Sequence, residues 1–561
     1  MDISTSEIKP VENKPKTIED INVALENVIQ HAGEMGLYQK LLFFAMFPFA
    51  LMWTFVYFGH MYLTLMPEHW CKVPELEGLE VDLRRSLSIP KNSAGSYERC
   101  RMFDANWTQV LETLQPPDEG TPLVLCNNGW EFLFDDIPYE TIATEREWVC
   151  NKASYIPTVT TLGFAGTLLG VLTLGVLADY FGRVPLIIVA NLCGFLGGVG
   201  TLFTTGFWDY AICRFIVGLS NNQCFMLMYI LVLEYVGSSH RTLVANMSIA
   251  LFFGSGCLVL PWLAYGIANW RILQIVMVSP IVAVIAVPFL LPESARWLST
   301  RGNVDKAVKM IRRVEKINKK EIPQDVIDNF MEISKEKPVS EAGVLEFIKT
   351  PELRLTSVLL IVAIMSTTLS FDTILRMSEN IGLNVFITFT VSAATEVPSI
   401  SLLVFLLDRF GRRWLVFCPV IATIVLNMTN AFVTNSLASG ALLVSARFFN
   451  IMAYNTLIQW TPELLPTSMR ASGGAVIYTF GNLPLLLSSF VVFSAQFWPG
   501  LPFLIISVFA ILGASCALFI PETKGKPMPQ TVEDIRSLGR TIFYKSNKEH
   551  ANPEGEKDVG Q

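Results

Sequence analysis

Ionised side chains inside apolar stretches are where this chain could do chemistry, because hydrocarbon makes each of them costly unless it is paired or used. Asp372 and Arg376 lie four residues apart near the end of one such stretch, a spacing that puts both on one helix face. They can pair with each other, or Asp372 can receive an amine while Arg376 receives a carboxylate. Phe371 beside them offers a ring face to an ammonium group. Arg447 is the one base in another stretch, which Tyr454, Asn455, Gln459 and Trp460 make polar and aromatic. Glu396 stands mid-stretch before Pro398, where a carboxyl group either pairs with an arginine or takes up and releases a proton. Asn482 is a neutral amide that hydrogen-bonds but neutralises no charge. An amide run, Asn221, Asn222 and Gln223, and the pair Tyr57 and His60 complete the set. Acids and bases in rough balance suit a zwitterion, or a small amine with polar groups, better than a bulky hydrophobic cation.

A second set recurs at one fixed offset. Asp179 and Asp408, Arg183 and Arg412, Glu234 and Glu463, and Arg241 and Arg470 are each 229 residues apart, and so are Glu293 and Glu522. The segments GVLADYFGRV (175–184) and VFLLDRFGRR (404–413) align in that register, each holding an Asp-x-x-Gly-Arg turn. Glu234 and Glu463 are placed at helix ends close to Arg241 and Arg470. Charges there are expensive unless paired, and pairs that break and reform make a bistable gate. The static alternative is topology anchoring by basic residues. The repeat divides the chain into two homologous halves around a midplane site.

The elements that must hold these residues follow from composition. Of 561 residues, 52% are hydrophobic and only 16% are charged, against about 25% in an ordinary soluble domain. Net charge is −7, which gives no general basic character for nucleic acid. A membrane helix needs about 20 mainly apolar residues. Twelve stretches qualify: 41–65, 154–178, 184–205, 210–232, 243–266, 271–291, 354–373, 384–407, 414–434, 438–460, 472–495 and 499–520. The expectation is an all-α membrane protein of two pseudo-symmetric six-helix halves. It divides into a 1–40 N-terminus, a 41–291 half with the loop 66–153, a 292–353 central loop, a 354–520 half and a 521–561 tail. Within the central loop, Val304, Ala307, Val308 and Ile311 are spaced for one apolar helix face.

Basic loops stay in the cytoplasm. The Lys- and Arg-rich 292–353 loop and the basic joins at 180–184 and 409–413 therefore put both termini inside. The 66–153 loop is then outside, where disulfides and N-glycans form. That loop carries Cys71, Cys100, Cys126 and Cys150, whose three possible pairings stay open, and the sequon at Asn106. The sequons at Asn246 and Asn427 fall in or beside spans and are read as chance. The first 35 residues have no apolar run, so no cleaved secretory signal is expected.

The segments VLEYVGSSHR (232–241), PESARWLSTRGN (292–303), ELLPTSMR (463–470) and PETKGKPMPQTVEDI (521–535) resemble the organic cation, anion and zwitterion transporters of solute carrier family 22, in the major facilitator class. The likeness runs from about Met61 to Ile535 and leans towards the insect branch, whose members carry carcinine, β-alanine and carnitine-like solutes. It implies the major facilitator fold, a plasma-membrane address, a small organic solute and transport without ATP. It also implies that the place of Asn482 carries Asp in cation carriers and a base in anion carriers, so this chain departs from both. A general organic cation carrier and a transport-inactive sensor on the same fold are the alternatives. An enzyme is not expected: the five histidines are scattered and no GxSxG or P-loop motif occurs. The long Cys-bearing loop argues against a sugar facilitator. No catalytic residue, metal or cofactor is expected, and coupling to Na⁺ or H⁺ is left open.

Overall fold

The structure is a computed structural model and describes residues 18–91, 97–118, 120–335, 351–379, 381–466, 470–525 and 529. Among them are twelve helices long and apolar enough to cross a bilayer. Spans 1 to 6 are Leu37–Leu63, Cys150–Phe181, Arg183–Thr201, Phe207–Tyr235, Ser238–Ile267 and Trp270–Leu290. Spans 7 to 12 are Leu353–Glu379, Val385–Leu407, Arg412–Asn430, Ser436–Glu463, Gly473–Gln496 and Leu501–Phe519. Helices prevail because lipid satisfies no backbone N–H or C=O group, so each segment must bond its own.

Spans 4 and 5 are not regular α-helices throughout. Span 4 is interrupted at Asn221 and Asn222, between the helices Phe207–Ser220 and Gln223–Tyr235. The Asn221 amide N–H there bonds the Gly218 carbonyl in a tightened turn, 2.9 Å away. Span 5 contains a π-helical stretch, Ser248–Phe253, which leaves carbonyls poorly matched to the i→i−4 ladder. Thr54 of span 1 donates to the Phe253 carbonyl at 3.3 Å and supplies a partner from outside the helix.

The chain forms two compact units. One comprises Met1–Ser340, Leu375–Val397 and Leu485–Pro499; the other comprises Glu341–Ile374, Pro398–Pro484 and Gly500–Gln561. The units do not coincide with the sequence halves, because pieces of spans 7, 8 and 11 pack into the first unit. There, Leu485–Phe493 lies along span 2, and Thr161 donates to the Leu486 carbonyl at 2.9 Å. Phe386 of span 8 meets Tyr265 of span 5 edge-on, with ring centroids 5.3 Å apart.

Spans 2 and 4 touch backbone to backbone. A Cβ added at Gly166 would lie 2.2 Å from the Phe215 carbonyl oxygen, and one at Gly218 would lie 2.0 Å from that of Gly163. Small residues permit such approach where helix association rests on van der Waals contact rather than hydrophobic burial. This seam fixes where the rest of span 4 points its side chains.

Within the first unit, four polar helices pack together: Ile18–Ala32, Ala295–Thr300, Val304–Asn318 and Gln324–Lys335. Val304, Ala307 and Ile311 are buried, as their spacing requires. The helix Ile18–Ala32 was not evident in the sequence; Ile21, Leu25, Val28 and Ala32 form its buried stripe. Asn318 ties it to span 1, accepting from the Tyr38 amide at 2.8 Å and donating to the Ala32 carbonyl at 2.9 Å.

The segment between spans 1 and 2 is a small domain. Glu68–Cys71 pairs antiparallel with Trp130–Leu133, and Arg101–Phe103 with Leu123–Leu125. Its core includes Trp70, Leu76, Leu87 and Met102. Of the three pairings the sequence allowed, the structure has Cys71–Cys126 and Cys100–Cys150, with Cα separations of 4.9 and 5.7 Å. Each closes a loop of 50 residues or more, which restricts the unfolded chain by about 4 kcal/mol in the chain-entropy account. Asn106 is exposed and caps the helix Trp107–Thr113, accepting from the Thr108 amide at 3.2 Å.

Candidate functional site

The repeated turns explain their own sequence. Gly182 and Gly411 have φ of +106° and +83° with ψ of 164°, a region that is essentially glycine's alone. Each leads into a helix whose first N–H groups have no partner within it. In the first unit Glu293 accepts from the Arg183 and Val184 amides at 2.8 and 3.2 Å. In the second, Glu522 accepts from the Arg412 and Arg413 amides at 3.0 and 2.9 Å. A Cβ on Gly182 would lie 2.5 Å from the Glu293 carboxylate, and one on Gly411 would lie 2.9 Å from that of Glu522. The two Pro-Glu landmarks are thus helix caps delivered from 110 residues away.

The repeated acids Glu234 and Glu463 take partners at matched positions. Arg412 bonds Glu463 at 2.9 Å, and Thr523 donates to the other oxygen of Glu463 at 2.5 Å. Arg183 bonds Asp179 at 2.6 Å and reaches Glu234 at 3.8 Å. Arg241 lies beside Glu234, donating to the Leu233 carbonyl at 3.3 Å, but its ion pair is with Glu26 of the N-terminal helix at 2.9 Å, and Glu26 also accepts from the Ser238 amide at 2.6 Å. The reason is steric access. Glu234 is directed at Arg183 and Arg296, whereas the Gly237–Arg241 turn is covered by the docked helix. Burial pushes the Glu26 carboxyl up, but the Arg241 hydrogen bond and charge, with the Ser238 bonds, more than offset this and hold it below the usual carboxylate range. The side chains of Asp408 and Arg470 lie outside the described residues.

A cavity opens inside the first unit between spans 1, 2 and 4 and the end of span 7. Tyr57 and His60 of span 1, Thr160, Phe164 and Thr167 of span 2, and Arg214 and Asn221 of span 4 line it with Arg376. The Arg376 guanidinium lies over the Phe164 ring, 5.4 Å from its centroid. The broken turn in span 4 turns Asn221 inward, where its amide donates to Thr167 Oγ1 at 3.1 Å. The acceptor Oδ1 of Asn221 and Nε2 of His60 are buried with no partner among the described residues. Arg214 was missed in the sequence although it is a base inside an apolar stretch. It stands near the start of that stretch, where arginine reads as a topology signal.

The second unit holds another polar cluster. Arg447 is 1% exposed; it donates to the Phe371 carbonyl at 3.2 Å, and its guanidinium lies 4.4 Å from the Phe371 ring centroid. The ring assigned to a substrate ammonium therefore already faces the protein's own cation. Tyr454 packs against the same ring at 5.5 Å, and Asn450 donates to the Thr367 carbonyl at 3.1 Å. Asp372 is wholly buried on span 7 among Ser366, Thr367, Thr368, Ser370 and Thr373. Asn482 is half-buried and donates to the Tyr478 carbonyl of its own helix at 2.9 Å. Gln459 is half-buried on span 10, and Glu396, of the first unit, is buried at the bend of span 8.

Known proteins resemble this chain throughout. The family described as sugar (and other) transporter matches residues 129–534. A carcinine transporter of Drosophila melanogaster is 28% identical, over 95% of this chain and 82% of its own. An organic cation transporter protein of the same organism is 28% identical, over 92% and 95%. A β-alanine transporter, also from Drosophila melanogaster, is 26% identical, over 91% and 88%. Among solved structures, the inward-open xylose transporter XylE of E. coli superposes with a TM-score of 0.53 at 16% identity, covering 70% of this chain and 91% of that one. That likeness speaks for the major facilitator fold alone.

Proposed function

The chain belongs to the family of sugar (and other) transporters, and from that premise we propose that it carries a small zwitterion or amine across the plasma membrane by alternating access. Its twelve spans and its relatives make it a multi-pass membrane transporter of organic solutes rather than an enzyme. The finer reading rests on one observation: Arg214, Arg376, His60 and Asn221 line a small polar cavity of about 20 Å³ in the first unit, room for water in the state shown, which a bound solute would widen. Membrane proteins keep such groups where a polar ligand uses them. A solute of the β-alanine or carnitine kind brings the carboxylate that these cations suit, whereas one of the carcinine kind brings a polar amine without it. Making and breaking the Arg183–Glu234 and Arg412–Glu463 pairs would serve as the gate. The basic loops support both termini in the cytoplasm and the disulfide-bonded domain outside.

A general organic cation carrier is the second reading, favoured by the buried acids Asp372 and Glu396. Uptake of labelled β-alanine, carcinine, carnitine and tetraethylammonium into expressing cells separates the two. Entry of a zwitterion or carcinine without tetraethylammonium supports the first. Entry of tetraethylammonium alone refutes it. Gain of tetraethylammonium uptake in Asn482→Asp would bring Asn482 into selectivity despite its bond to its own helix.

A further inference from the structure

Several charged groups at one polar end of the first unit are matched: Arg183 with Asp179 and Glu234, Arg241 with Glu26, and Glu293 with two amides. Arg214 is not. It is 7% exposed, and among the described residues it makes no hydrogen bond, ion pair or ring contact. The other charged side chain on its cavity is a second cation, Arg376. Guanidinium does not escape by giving up its proton, because it stays ionised under all ordinary conditions. A buried cation without a counter-charge is strongly unfavourable, so Arg214 itself lacks an anion among the described residues.

The surroundings narrow that anion. The seam at Gly166 and Gly218 holds spans 2 and 4 at backbone contact, so Arg214 is presented from a rigid element. Its planar fork matches a carboxylate in two parallel hydrogen bonds. The same cavity also keeps the unpartnered acceptor Asn221 Oδ1, which an inorganic anion would repel and an N–H donor would satisfy. We propose that Arg214 is the receptor for the carboxylate of the transported solute, so that the carrier selects amino acids with separated amine and carboxylate ends over amines that lack the carboxylate. The proposal rests on the transport reading above and sharpens it, since carcinine has no carboxylate.

The test uses full-length protein reconstituted in liposomes, with uptake of labelled β-alanine and of β-alaninamide, which keeps the amine and loses the carboxylate. Arg214→Gln is expected to raise the β-alanine KM by about 10- to 100-fold, the range of a lost charge-assisted hydrogen bond, while the amide responds far less. Arg214→Lys keeps the charge without the fork and should fall between. Equal loss of both solutes in both variants overturns the proposal. If the wild type carries neither solute, the transport reading fails, and thermal denaturation of purified protein with sodium propionate or sodium chloride decides the anion site. Stabilisation by propionate that disappears in Arg214→Gln upholds it. Equal stabilisation by chloride, or none by either salt, overturns it.

Discussion

The paired glycine and carboxylate at each repeated turn give a prediction with a definite arithmetic. In Gly182→Ala the new Cβ meets two obstacles: a backbone at φ +106° and the Glu293 carboxylate 2.5 Å away. The backbone region costs a non-glycine residue about 1–3 kcal/mol. The carboxylate must also leave the amides of Arg183 and Val184, forfeiting a charge-assisted cap of about 1.5–3 kcal/mol. The substitution should therefore cost about 2.5–6 kcal/mol, the sum of those two ranges. Glu293→Gln keeps a neutral acceptor and should cost about 1–2 kcal/mol, in the range of a lost helix cap. The double variant forfeits the cap only once. It should be less destabilised than the sum of the singles by roughly 1–2 kcal/mol, the coupling expected of residues in contact. Thermal unfolding of the purified protein reads this at about 1–2 °C per kcal/mol, because unfolding entropy grows with chain length and the first unit is large. The same cycle at Gly411 and Glu522, where the clearance is 2.9 Å, should give the same sign. Strict additivity in both cycles would refute the reasoning, because it would mean the carboxylates do not occupy the space a Cβ needs.

Acid should release the N-terminal helix. The Glu26 carboxyl is held below its usual range by Arg241 and Ser238 despite burial, so its contribution is complete above the ordinary carboxylate value of about 4.3 and is lost as pH falls through the lowered one; hydrogen exchange across Ile18–Ala32 should rise in that window, and Glu26→Gln should show the raised exchange at neutral pH. Cys100→Ser should leave Cys150 as the single newly labelled thiol of the loop domain for a membrane-impermeant maleimide added to intact cells, with Cys71 and Cys126 still protected; labelling of Cys71 or Cys126 instead would contradict the pairing.

Much of the fold was legible because its cause is local. A bilayer demands about 20 apolar residues per crossing, and the stretches read at 154–178 and 472–495 appear as Cys150–Phe181 and Gly473–Gln496. Errors at the ends arise where polar residues such as Arg183 and Glu463 extend a helix past its apolar run. The helix Ile18–Ala32 escaped notice because its stripe is interrupted by acids that face solvent and Arg241. The 229-residue offset was legible because a duplicated sequence carries its own register.

The sequence by itself determined the solvent of this protein, its two homologous halves and which residues could be charged inside it. Tertiary structure alone decided which charges meet. Glu293 and Glu522 proved to be caps because helix ends 110 residues away are their neighbours. Arg241 took Glu26, 215 residues away, rather than the nearby Glu234. Arg214 acquired its meaning from the lack of a described partner in its cavity. The physical reason is one of range. Helix formation in lipid is settled by each segment's own backbone and side chains, whereas the free energy of a buried charge depends on what stands within a few ångströms of it after the helices have packed.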